Sequence, residues 1–228
     1  MIEKMDNRKK LFVVTVVFWT LALLYFVNYI LGAPNIVINC IVKTLPVLFL
    51  SIVTWLCTKN SFVLLPFALY FSSIGDLAGE LHLFIWQVAA FAIAQFTYAF
   101  TFWERSKASQ RNSAFVALLI AISIALGSLI IPHIVLLKEK IFCIGYIILI
   151  TMMSASTLMQ ECKHKWWYVA GALIFMLSDT IIAWNRFVEE VPGETFLIMI
   201  SYFGAQFIFA RLYLQEKLEN PACEEHGK

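Results

Sequence analysis

Charge is scarce in this sequence. Asp, Glu, Lys and Arg make up 14% of its 228 residues, against about 25% in a soluble globular domain, and they gather in short runs between long apolar stretches. That scarcity, with a formal net charge of only +2, excludes a disordered chain and a nucleic-acid partner. Cys40, Cys57, Cys143, Cys162 and Cys223 form no C-x-x-C or metal-like spacing, which excludes a disulfide-stapled secreted module and leaves them as small hydrophobes. H-E-x-x-H, G-x-S-x-G and a phosphate-cradling glycine loop are also missing, so zinc-protease, serine-hydrolase and nucleotide chemistries find little support. Only Asp76, Glu80 and His82 fall close enough together to suggest a partial metal-ligand set, and neither a metal nor a cofactor is expected.

Apolar length takes the place of charge. Apolar residues reach 61%, against roughly 45–50% in soluble domains, and the mean hydropathy is +0.80. A hydrocarbon core about 30 Å thick takes roughly 20 helical residues. Eight runs fit: Leu11 to Leu31, Ile36 to Cys57, Ser61 to Gly79, Phe84 to Phe102, Ala114 to Leu137, Ile141 to Leu158, Trp166 to Trp184 and Phe196 to Leu214. Connections such as Gly32-Ala33-Pro34-Asn35 and Thr58-Lys59-Asn60 permit only antiparallel neighbours. The expected fold is an all-α membrane protein, a bundle of eight transmembrane helices in one polytopic domain over 1–228, with a cytosolic tail over 215–228. The first run follows Lys9-Lys10 as a signal peptide would, but its length favours a retained helix. Thirteen Lys and Arg fall on the N-terminal side of these spans and three, Lys138, Lys140 and Arg186, on the other, which puts both termini in the cytosol. A bacterial inner membrane is the expected location. Phe91-Ala-Ile-Ala-Gln95-Phe-Thr-Tyr98 in the fourth span resembles Tyr202-Phe-Gly-Ala-Gln206-Phe in the eighth; two parallel four-helix repeats, 1–103 and 104–214, would explain this, and chance among Phe- and Ala-rich helices is the alternative.

Ionisable side chains inside a membrane are costly unless paired or hydrated, so each is a functional candidate. Lys43, Asp76 and Asp179 all fall within roughly 10 Å of the outer boundary at a rise of about 1.5 Å per residue. Helical spacing adds Ser72, Ser73 and Glu80 to the face of Asp76, Tyr202 to that of Gln206, Gln95 to that of Tyr98, and Arg186 to that of Asp179. Pro46 lacks an N–H and frees the carbonyl of Val42 beside Lys43. Two carboxyl groups sharing a dry site do not both ionise, so such a pair supplies an acid and a base. The structural alternative makes Lys43 and one aspartate a buried ion pair, with the glutamines and tyrosines as interhelical hydrogen bonds. A transporter or lipid-moving protein with a buried Lys/Asp site would show the same residues.

Lys43-Thr-Leu-Pro46, Phe71-Ser-Ser-Ile-Gly-Asp76, Ala90-Phe-Ala-Ile-Ala-Gln-Phe-Thr-Tyr98, Gly171-Ala-Leu-Ile-Phe-Met-Leu-Ser-Asp179 with Asn185 after it, and Tyr202-Phe-Gly-Ala-Gln206 together resemble the YhhN family of eight-span membrane proteins, whose characterised members are lysoplasmalogenases. The resemblance runs in order from about Lys43 to Leu214. It implies a membrane hydrolase that takes a lysophospholipid from the bilayer and cleaves its vinyl ether bond without a cofactor. The products would be a fatty aldehyde and glycerophosphoethanolamine or glycerophosphocholine. The resemblance carries over Lys43, Asp76, Asp179 and Gln206; joined to the helix-face reading, it makes Asp76 and Asp179 the expected catalytic carboxyl groups, with Lys43, Glu80, Gln95, Tyr98, Asn185, Tyr202 and Gln206 expected to bind substrate or support them. Gln95 departs from the family pattern, standing where many members have His. Protonating the β-carbon of a vinyl ether gives an oxocarbenium ion, which water captures, so the reaction needs an acid, a base and negative charge, as glycoside hydrolysis does. Asp76, nearer the boundary and beside Glu80, suits the hydrated base and leaves Asp179 as the acid. Lys43 either meets the substrate phosphate or holds an aspartate ionised.

Overall fold

The structure, a computed structural model, describes residues 7–32, 35–57, 64–104, 106 and 110–219. It contains eight α-helices: α1 (Asn7–Leu31), α2 (Ile36–Cys57), α3 (Leu64–Glu80), α4 (Phe84–Trp103), α5 (Gln110–Ile130), α6 (Leu137–Met159), α7 (Lys165–Phe187) and α8 (Glu194–Glu219). Seven of the eight are long and apolar enough to cross a membrane, and the protein is an integral multi-pass, all-α membrane bundle. The exception is α3. Its 17 residues reach only about 25 Å at the α-helical rise, short of the roughly 30 Å hydrocarbon core. The Ser61 start expected for this span, the Ala33-Pro34 and Thr58–Asn60 connections, Cys223 and positions 220–228 lie outside the described residues. No disulfide joins the four described cysteines.

Three boundaries differ most from the hydropathy pattern. The fifth run was expected to reach Leu137, but α5 ends at Ile130 and a short 3-10 turn, Ile131–His133, follows. Pro132 explains the stop: it cannot donate to the helix and disfavours helical geometry in the residue before it. The sixth helix accordingly begins at Leu137, earlier than expected, with Lys138, Glu139 and Lys140 in its first turn, where long side chains extend toward the interface. At the other end of the chain α8 continues to Glu219, so positions 215–219 are helical and not tail.

Packing sets out the bundle. Neighbours in sequence pack together in the pairs α1–α2, α2–α3, α3–α4, α5–α6, α6–α7 and α7–α8, while α4 closes on α6, and α8 on α2 and α1. Asn7 Nδ2 donates to the Leu218 carbonyl at 2.8 Å, which ties the start of α1 to the end of α8. The core is aromatic on the side of the termini: Tyr98, Phe102, Tyr168 and Phe209 are all buried, with ring centroids 5.1–6.4 Å apart. Such tilted and offset contacts add directional packing to simple burial. The opposite end, where α1, α3 and α7 finish and α2, α4 and α8 start, holds the polar side chains.

Candidate active site

Asp76 and Glu80 stand one turn apart on α3, with Gly75 and Gly79 beside them. The glycines determine how closely α4 approaches. A Cβ at Gly75 would lie 2.8 Å from Cε2 of Phe91, and one at Gly79 would lie 2.7 Å from Nε2 of Gln87. This is the small-residue contact by which membrane helices come together, and it seats two α4 side chains against the carboxylate-bearing face of α3. Phe91 has little room to move, since it meets Phe175 and Tyr202 edge-to-face at 6.5 and 5.7 Å. Gly75→Ala is therefore expected to lower stability by about 1–3 kcal/mol, the usual cost of overpacking, with a lower melting temperature in detergent as the readout. An unchanged melting temperature would contradict the close α3–α4 contact.

A cavity of about 160 Å³ opens behind this contact, and Lys43, Asp76, Asp179, Tyr202, Tyr25 and Glu194 are among its lining residues. Asp76 is buried, at 3% exposure, and its Oδ2 accepts a 2.8 Å hydrogen bond from the Tyr202 hydroxyl. Asp179 is half-buried and accepts from the Tyr146 hydroxyl at 2.5 Å. Two further polar contacts lie nearby. Gln95 Nε2 donates to the Tyr146 hydroxyl at 3.2 Å, while Gln206, one turn from Tyr202, accepts from the Tyr98 hydroxyl at 2.6 Å. Gln95, Tyr98 and Gln206 thus stand outside the lining of the polar cavity, Gln95 supporting Tyr146, the partner of Asp179.

Lys43 is paired, but not with an aspartate. Its Nζ donates to Glu80 Oε2 at 3.1 Å, with the two side chains 17% and 23% exposed. The structural alternative, a buried ion pair between Lys43 and an aspartate, is not the pair that forms: Lys43 reaches the more exposed carboxylate, one turn further along α3. Among the described residues Lys43 is the one cation lining this cavity, beside the carboxyl groups of Asp76, Asp179 and Glu194. Such a surround favours a substrate in which positive charge develops. Arg186, read as a neighbour of Asp179, instead pairs with Glu139 on α6 at 2.9 Å and lies 3.9 Å from the Phe84 ring centroid. Asn185 also faces elsewhere, accepting the Val191 N–H at 2.8 Å in the α7–α8 connection.

The sequence reading missed Tyr25, Gln87, Glu194 and Tyr146. Gln87 could have been found, because it lies four residues before Phe91 and eight before Gln95 on one face of α4. Tyr146 gives a fainter signal, as a lone hydroxyl inside the apolar run of α6. Beside the polar cavity lies an apolar space of about 90 Å³ between α4, α5, α6 and α7, and both are lined by Gln87, Phe91, Asp179 and Ile182. Asp179 therefore stands at the junction of a polar and an apolar compartment, while Asp76 lines only the polar one.

The YhhN family model matches residues 38–212. The chain belongs to the YhhN family. The match takes in every helix that carries Lys43, Asp76, Asp179 or their tyrosine partners. Tyr25, on α1, precedes it. Among curated relatives, Lysoplasmalogenase TMEM86B of Homo sapiens is 30% identical over 180 residues, covering 74% of this chain and 72% of that protein. Lysoplasmalogenase TMEM86B of Sus scrofa is 28% identical over 199 residues, 85% of this chain and 82% of that one. Lysoplasmalogenase TMEM86A of Bos taurus is 26% identical over 210 residues, 85% of each. No solved structure matches this YhhN chain.

Proposed function

We propose that this protein is a membrane hydrolase that cleaves the vinyl ether bond of lysoplasmalogens, releasing a fatty aldehyde and glycerophosphoethanolamine or glycerophosphocholine without a cofactor. The observation that carries this reading is the position of the two aspartates, both on one polar cavity and one of them also at the mouth of an apolar compartment. A lysoplasmalogen has a matching division, with a charged head on one side of the vinyl ether and a hydrocarbon chain on the other. The lysoplasmalogenase names of the relatives support the same substrate class.

The chemistry follows from the placement. The β-carbon of the vinyl ether is the second carbon of the alkenyl chain, the one not bonded to oxygen, so it lies toward the apolar compartment and within reach of Asp179. A neutral Asp179 transfers its proton to that carbon, leaving an oxocarbenium ion that the surrounding carboxylates stabilise. Water in the polar cavity adds to the cation as Asp76, held by Tyr202, accepts its proton. The resulting hemiacetal collapses to aldehyde and alcohol. Lys43 is placed to meet the phosphate at the polar end. Incubating purified protein with lysoplasmalogen in detergent tests the reading: free aldehyde is expected, whereas a transporter or lipid carrier releases none.

The same reading puts the cavity in the leaflet away from the cytosol, with both termini cytosolic, because thirteen of the seventeen basic residues lie on the side of the termini. In a cysteine-free background, single cysteines at Lys107 and Glu190 should label from opposite sides of the membrane. Labelling from one side would contradict the orientation. We also read the bundle as two parallel repeats, 1–103 and 104–214. Crossed support favours this: Asp76 on α3 is held by Tyr202 of α8, and Asp179 on α7 is tied through Tyr146 to Gln95 of α4. An experimental structure whose halves fail to superpose helix on helix would oppose it.

A further inference from the structure

The apolar compartment beside Asp179 has one thin wall. α5 packs on α6 and only lightly on α7 among the described residues, so it is the least secured helix around that space. Ser123, Gly127, Ile147 and Thr151 line the compartment and also line a second apolar cleft, about 540 Å³, on the outer seam between α5 and α6. The outer cleft is open to the surrounding lipid, with Ile124 and Ile148 on its rim 67% and 55% exposed. Two hydroxyls in the shared wall are already satisfied. Thr151 Oγ1 lies 2.9 Å from Ser123 Oγ and 2.6 Å from the Ile147 carbonyl, and Ser123 donates to the Leu119 carbonyl at 3.0 Å. The passage therefore presents hydrocarbon and no idle polar group.

Gly127 lies in the wall shared by the two spaces. It has no side chain, and a Cβ there would meet only Ile131 Cδ1 at 3.6 Å and Ile147 Cδ1 at 3.7 Å, which is ordinary contact. Nothing in the packing demands glycine, unlike Gly75 and Gly79. What glycine leaves at this position is space between the two apolar compartments.

We propose that the α5–α6 seam is the binding site for the hydrocarbon tail of the lysolipid, which enters sideways from the bilayer past Gly127 and reaches Asp179. The proposal rests on the hydrolase reading of the Asp76–Asp179 cavity and adds where the chain lies. Continuity identifies the occupant. A lipid whose head fills the charged cavity can send its tail through the apolar compartment that shares Asp179, and that compartment abuts the lipid-facing seam. Gly127 is then a specificity residue that sets how much chain the site accepts.

The test combines Gly127→Phe and Gly127→Leu with Leu118→Phe as control, an exposed α5 position that lines neither apolar space. Both large variants should lower kcat/KM for long-chain lysoplasmalogen at least about tenfold while sparing a short-chain substrate, in keeping with the discrimination hydrophobic pockets achieve. The Leu118→Phe variant should behave as the parent. Independently of turnover, a non-hydrolysable alkyl-ether lysolipid with a photoreactive group near its chain end should label α5 and α6 around Ile124 and Ile148 in the unmodified protein, and lose that labelling in Gly127→Phe. Labelling spread evenly over the lipid-facing helices, or an unchanged chain-length profile in folded Gly127→Leu, would overturn the proposal. Labelling at the seam by a protein that releases no aldehyde would uphold the tail site and refute the hydrolase reading.

Discussion

Asp179→Asn and Asp76→Asn are each expected to lower turnover at least about a hundredfold, the usual contribution of a positioned acid or base. Asn keeps the shape of the side chain and can still accept from Tyr146 or Tyr202, so the hydrogen bonds that tie α7 to α6 and α3 to α8 survive. What it removes is the carboxylic proton in one case and the proton acceptor in the other. The two variants should also differ in pH dependence. Activity requires the acid protonated, so its loss generates the alkaline limb of the profile, and Asp179→Asn should abolish that limb. Activity requires the base ionised, so Asp76→Asn should abolish the acid limb. Aldehyde release by folded protein across a pH series is the measurement. Full activity in either variant would return that aspartate to a structural role.

Lys43→Met should act mainly on substrate affinity. In the structure Lys43 holds Glu80 and lines the cavity, and neither aspartate is its hydrogen-bonded partner. Its remaining N–H donors are therefore free for a phosphate at the polar end. A charge-assisted hydrogen bond of this kind contributes about 1.5–3 kcal/mol, so KM should rise roughly tenfold to a hundredfold. Turnover at saturation should change much less. Because the Lys43–Glu80 pair is partly exposed, the variant should still fold, which a melting curve in detergent checks. Arg at this position should recover part of the affinity, since it keeps the charge while altering the geometry. If Lys43 instead keeps an aspartate ionised, Lys43→Met would lower kcat and shift the pH profile with KM unchanged, and the phosphate assignment would fall.

Much of the architecture could be read from hydropathy because the bilayer imposes one length scale on every span. The second helix is bounded by Ile36 and Cys57 in the sequence and in the structure alike. The α5–α6 turn was missed because Ile134, Val135, Leu136 and Leu137 are as apolar as any span, and hydropathy alone does not separate a connection from a helix. The polar cluster followed a similar division. Lys43, Asp76 and Asp179 stood out because intramembrane charge is rare, whereas Tyr146 and Tyr25 are ordinary in composition and matter only through where their hydroxyls point. The partner of Lys43 was beyond the sequence for a related reason. Helical periodicity groups residues on one face of one helix, but how α2 sits against α3, which selects Glu80 over Asp76, is set by contacts between the helices, such as that of Ser51 Oγ with the Pro66 carbonyl.

Carrying out the reaction in D2O tests the central claim most directly. If a carboxylic acid protonates the β-carbon of the vinyl ether, the aldehyde released must carry deuterium on the carbon next to its carbonyl, and the rate must fall in D2O because proton transfer to carbon limits the step. Aldehyde formed without deuterium at that carbon, faster than any exchange measured with the preformed aldehyde, would contradict carboxyl-driven vinyl ether hydrolysis at the Asp76–Asp179 cavity.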